Sequence, residues 1–151
     1  MLEQNINFQE KYKSLDNLCK DCYNSQEGVS EYIRQMDKYM LEGKRLVKDW
    51  ENEYSNLKHV RWIRNQLAHE VGTLNSDIVE ENDILFLSNF YNKIINANDA
   101  LSVLRKIKSE QIKSKHTKVN VNATREKSVQ PTKKEAGFLS KLLNKIKNFL
   151  K

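Results

Sequence analysis

Arg64, Asn65 and His69 stand close together in His59-Val60-Arg61-Trp62-Ile63-Arg64-Asn65-Gln66-Leu67-Ala68-His69-Glu70, and their types and spacing could act on an anion. A guanidinium drawn onto a buried face needs an opposite charge. An imidazole is the side chain that titrates nearest neutral pH. On a helix turning about 100° per residue, Asn65 lies about 40° and His69 about 80° from Arg61, so these three share one stripe. Arg64 lies at about 300°, among Leu46, Trp50, Leu57, Val60, Leu67 and Val71, which span about 240° to 340°. The spacing therefore predicts Arg64 on the apolar face. Its opposite charge is either a carboxylate from another helix, with Asp16, Glu31 and Asp37 as candidates, or a phosphate that arrives with a ligand. His69, near the helix end and beside Glu70, reads by itself as a capping or surface histidine.

The elements that position these residues read as helices throughout residues 1–108. Ile6, Phe8, Tyr12, Leu15, Cys19 and Cys22 recur at mostly three- and four-residue spacing over 6–22. Turn chemistry follows at Ser25 to Gly28. Val29, Ile33, Met36 and Met40 continue the pattern as far as Gly43. The longest periodic run, over 44–70, carries the candidate site, and Gly72 stands where a cap would end it. Residues 72–80 read as a loop. A further helix is expected over 81–96, then a short last one from Asp99 through Leu101, Leu104 and Ile107. One Pro and four Gly in 151 residues are too few for a loop-rich sandwich or a Gly-loop nucleotide fold. The expected fold class is all-α, a compact bundle of four to five helices.

Charge divides the chain. There are 26 Lys+Arg and 20 Asp+Glu, a formal net charge of +6. Residues 1–108 carry 15 basic and 17 acidic residues, giving −2; residues 109–151 carry 11 and 3, giving +8. The basic character therefore belongs to the tail, and a boundary is expected near Lys108. Residues 109–135 are polar, Lys-rich and contain the single Pro, which reads as a flexible basic linker. Cys19 and Cys22, three apart with no second pair and no nearby His, read as buried core positions and not as a zinc site or a disulfide. MLEQNINFQE has neither a basic run nor an apolar stretch, so no signal peptide is expected. No window approaches the roughly 18 apolar residues of a membrane span. A reducing, cytoplasmic setting follows as the expectation.

Arg64-Asn65-x-x-x-His69, late in a long helix of a small all-α domain, resembles the HEPN superfamily, whose signature is Arg, a polar residue, a short spacer and His. The resemblance covers residues 1–108 and not the tail. It implies an HEPN-like bundle of four to five helices and a metal-independent endoribonuclease without a cofactor. By the same resemblance, RNA would be the substrate and the motifs of two protomers would meet across a homodimer. Arg64 would stabilise charge on the scissile phosphate. His69 would serve as general acid and base, and Asn65 would orient it. The products would carry a 2′,3′-cyclic phosphate. Arg64 and His69 are about 140° apart around a straight helix, so a bent helix end or a second protomer would bring both to one phosphate. The family also implies a bacterial toxin or defence effector with an antitoxin as protein partner. It includes non-catalytic members too, so the alternative is a helical module that dimerises and binds a partner, a nucleotide or a membrane surface.

Residues 136–151 form a separate pattern. Phe138, Leu139, Leu142, Leu143, Ile146, Phe149 and Leu150 make one apolar stripe, with Lys141, Lys145, Lys147 and Lys151 opposite. Such an amphipathic basic helix could complete the bundle core, fill a partner's groove or lie on an anionic membrane surface. The lysines favour the third, at roughly 1 kcal/mol for each one near an anionic leaflet. That reading places the protein at the inner face of the membrane as a peripheral component.

Overall fold

The computed structural model describes residues 3–69 and 77–119, with side chains as far as Lys115. These residues are all-helical. Six helices follow in order: α1 (Glu3–Tyr23), α2 (Gly28–Lys38), α3 (Met40–Leu46), α4 (Trp50–His69), α5 (Glu81–Ile95) and α6 (Ala100–Val119). The chain divides into two units, residues 1–115 and 116–151. The first holds the bundle; of the second, only the end of α6 is described. The amphipathic stripe from Phe138 to Leu150 lies outside the described residues, as do Glu70, Val71 and Gly72.

Each long helix turns a three- and four-spaced stripe inward. On α1 the stripe is Phe8, Tyr12, Leu15 and Cys19. On α4 it is Trp50, Leu57, Val60, Ile63 and Leu67, and on α5 Leu87, Phe90 and Ile94. They meet Val29, Tyr32, Ile33 and Met36 of α2 in one core. Tyr32 meets Phe90 edge to face at 5.2 Å between ring centres. Helix α1 packs on α2 and α5, and α2 on α4. At Gly28 a Cβ would fall 2.2 Å from an Asp16 carboxylate oxygen, so only glycine lets α2 start this close to α1.

Three boundaries and one burial differ from the sequence expectation. The run over 29–43 breaks at Tyr39, and its last part belongs to α3. The run from 44 is also interrupted: Val47 is extended, and α4 begins only at Trp50, whose ring packs on Gly43. Cys22 is partly buried and only Cys19 is fully enclosed. The last helix continues through 109–119, where a linker was expected. That stretch lacks core periodicity but contains no Gly or Pro, so α6 propagates, and its side chains from Ser109 to Lys115 are exposed.

Helix ends are closed locally. After α1, Asn24 takes φ 49° and the Ser25 amide donates back to Lys20 O at 3.1 Å. After α5, Ala97 takes φ 52° while the Asn98 amide donates to Lys93 O at 2.8 Å. Both are left-handed caps. Asn tolerates that conformation, whereas alanine is strained in it by roughly 1 kcal/mol or more. Ala97→Gly is therefore expected to raise stability by up to about 1 kcal/mol, read as a higher melting temperature. An unchanged melt would mean that the cap holds no strain.

Candidate functional site

The candidate residues project from the second half of α4. Its inward stripe ends at Leu67, and the positions between turn to solvent. Arg64, Asn65, Ala68 and His69 are exposed, and Arg61 is half-buried. Arg64 Nη1 donates to Asn65 Oδ1 at 3.2 Å. The placement of Arg64 on a buried face is thus corrected. Its angle around the helix points toward α1, but α1 stands off α4 at this level and leaves a groove. That groove, of about 600 Å³, is lined by Tyr12, Lys13 and Asp16 of α1 and by Arg64, Leu67 and Ala68 of α4. A smaller recess of about 260 Å³ shares Tyr12, Asp16, Lys20 and Arg64, and adds Arg61, Asn65 and residues at the start of α2.

None of the three carboxylates expected as partners pairs with Arg64. Asp16 faces Lys20 at 2.9 Å and accepts the Val29 amide at 2.9 Å. Glu31 is held by Arg34, and Asp37 accepts the Tyr54 hydroxyl at 2.6 Å. The buried charge of α4 is instead Glu53, which accepts Lys93 Nζ and the Ala100 amide, each at 2.8 Å. Burial raises its pKa, against the opposing effects of Lys93 and the Ala100 amide. Among the described residues, no carboxylate pairs with Arg64 or Arg61.

The structure brings Arg64 and Asn65 together and leaves His69 apart. His69 is the last residue of α4, and among the described residues no hydrogen bond or ion pair joins it to Arg64 or Asn65. No group of three or more His, Cys, Asp or Glu is arranged to hold a metal ion among the described residues. Burial pushes the Cys19 thiol far above its ordinary range, which suits a core position and not a ligand.

Two further residues belong to this surface. Tyr12 reads as core from its spacing, and its ring is buried, yet it forms a wall of both recesses. Burial and Asp16 raise its hydroxyl pKa, while Arg64 and Arg61 oppose the shift. Trp62 is 50% exposed. It stacks on His59 at 6.1 Å between ring centres and 18° between planes, and His59 Nε2 lies 3.2 Å from Asp83 Oδ1. The available signal for Trp62 was its position off the apolar stripe of α4, which left a large aromatic ring facing solvent.

No curated protein and no solved structure matches the chain. A family model described as a family of unknown function, DUF6548, matches residues 6–149, so one model spans the bundle and the basic tail. With nearly its whole length inside that match, the chain belongs to this family of unknown function, DUF6548.

Proposed function

We propose that the helical domain is an HEPN-like, metal-independent endoribonuclease acting as a homodimer, in a toxin or defence setting. The observation that carries this reading is the exposed Arg64, bonded to Asn65 and with no carboxylate partner among the described residues, about one and a half turns before an exposed His69 on the same helix. A cation held in solvent by a short neutral neighbour is available to a phosphate. In the reaction, the RNA 2′-hydroxyl gives its proton to a histidine acting as base. The 2′-oxygen bonds to phosphorus, the P–O5′ bond breaks, and a protonated imidazole supplies the proton to the leaving 5′-oxygen. Arg64 holds the charge that builds on the non-bridging oxygens. Because Arg64 and His69 diverge around the helix, the partner protomer's copy of the motif supplies the complementary group.

The test is incubation of the full chain with total RNA in the presence of a chelator, beside an Arg64→Ala/His69→Ala variant. Cleavage to 2′,3′-cyclic phosphate ends is expected from the parent and not from the variant. Equal cleavage by both would remove these residues from the chemistry.

A second reading is favoured by the distribution of charge. The domain sums to −2 and the tail to +8, so attraction to a polyanionic surface resides in the tail. In this reading the protein is a non-catalytic module that the amphipathic sequence over 136–151 brings to an anionic membrane. The full chain should co-sediment with vesicles containing anionic lipid at low salt and be released at high salt. Failure to co-sediment at low salt would eliminate it.

A further inference from the structure

The recess at the α1–α2 junction contains a cation that the Arg-Asn-His motif does not use. Arg61 and Arg64 stand three residues apart on α4, which makes their side chains neighbours. Both line the recess together with Tyr12, Lys20, Ser30 and Asn65. Pairing within the recess leaves an excess of positive charge. Lys20 is matched by Asp16 at 2.9 Å, and Glu27 is held by Arg34. The two α4 guanidiniums remain, with no carboxylate on either among the described residues. Like charges side by side repel, and an anion with several acceptor oxygens relieves that repulsion. The guanidinium fork matches the oxygens of a phosphate. Tyr12, Ser30 and Asn65 supply neutral donors around it.

One residue along, Trp62 presents a half-exposed ring, stacked on a His59 that lies within ion-pairing distance of Asp83. Single-stranded nucleic acid is held by this combination of backbone cations and an aromatic surface for a base.

We propose that this recess is a phosphodiester subsite for single-stranded RNA, gripped by Arg61, and that the strand crosses α4 with a neighbouring base stacked on Trp62. The identity of the ligand rests on the ribonuclease reading of Arg64 and His69, while the subsite itself rests on the arrangement of Arg61, Tyr12 and Trp62. Arg61 is a binding residue here and takes no part in the bond-making steps.

The test uses the full chain carrying His69→Ala, so that RNA stays intact, and a labelled single-stranded RNA oligonucleotide followed by anisotropy over a salt series. The tail is present throughout, so its contribution is common to every variant. Arg61→Ala should weaken binding about tenfold, the size of one charge-assisted hydrogen bond, and lower the slope of log K against log salt by about 0.7. Arg61→Lys should restore the slope and part of the affinity. The chain has two tryptophans, Trp50 fully buried and Trp62 half-exposed. Quenching of tryptophan emission by RNA, lost in Trp62→Phe, should report the stacked base. Unchanged affinity and slope in Arg61→Ala would overturn the subsite even if the parent chain cleaves RNA. Weakened binding in that variant, with no cleavage by the parent, would keep the subsite and remove the ribonuclease reading.

Discussion

Arg64→Ala should lower RNA cleavage by about 100- to 1000-fold, the range for loss of one donor to a transition-state anion. It should leave the melting temperature within about 2 °C of the parent, as expected for a surface change worth under about 0.5 kcal/mol. The two halves of this expectation have separate origins. Arg64 is exposed, pairs with no carboxylate among the described residues, and its bond to Asn65 is a long 3.2 Å. Alanine is at least as good a helix former as arginine. Removing Arg64 therefore costs the folded state almost nothing, and any large effect must come from what it holds. Single-turnover cleavage and thermal melting by circular dichroism, measured on the same preparation, check both halves. A melting temperature lowered by several degrees with cleavage retained would assign Arg64 a structural role.

That expectation reverses the one drawn from periodicity alone, which put Arg64 on the buried side and would have made its loss destabilising. A run of apolar residues reports the angle at which a side chain leaves its own helix. It does not report which helix stands opposite, or how close. Phe8, Tyr12, Leu15 and Cys19 were legible as a core stripe because α1 is covered by α2 and α5. Arg64 has a similar angle on α4 but looks into a groove where α1 stands off. The same limitation hid the breaks at Tyr39 and Val47. Both fall inside patterns that remain periodic, and the second depends on Trp50 lying against Gly43, a contact that no local rule encodes. The motif residues themselves were legible, since type and spacing alone mark them. The groove beside them was not, because it forms between α1 and α4, which lie far apart in the sequence.

Glu53→Ala is expected to destabilise the domain by roughly 3 kcal/mol, or about 10 °C in melting temperature for a unit of this size. Glu53 is 2% exposed and joins two parts of the chain. One oxygen accepts Lys93 Nζ of α5, and the other accepts the Ala100 amide at the start of α6. Beside it, Asp99 Oδ2 accepts the Tyr32 hydroxyl at 2.5 Å and the Ser102 amide at 3.2 Å. Alanine would leave the Ala100 amide buried and unpaired and open a void under α6. The Lys93 side chain is 38% exposed and keeps water, so the loss of its ion pair adds little. Glu53→Gln keeps the shape and an acceptor for Ala100, and should recover more than half of the loss. Glutamine also isolates the titration. Burial raises the Glu53 pKa above its ordinary value of 4.5, so the folded state holds that proton more tightly than the unfolded chain does. The corresponding stability is fully present below pH 4.5 and is lost as pH rises through the folded value. The melting temperature of the parent relative to Glu53→Gln should therefore fall as pH rises through that window. A constant difference would show that Glu53 titrates alike in the folded and unfolded chains.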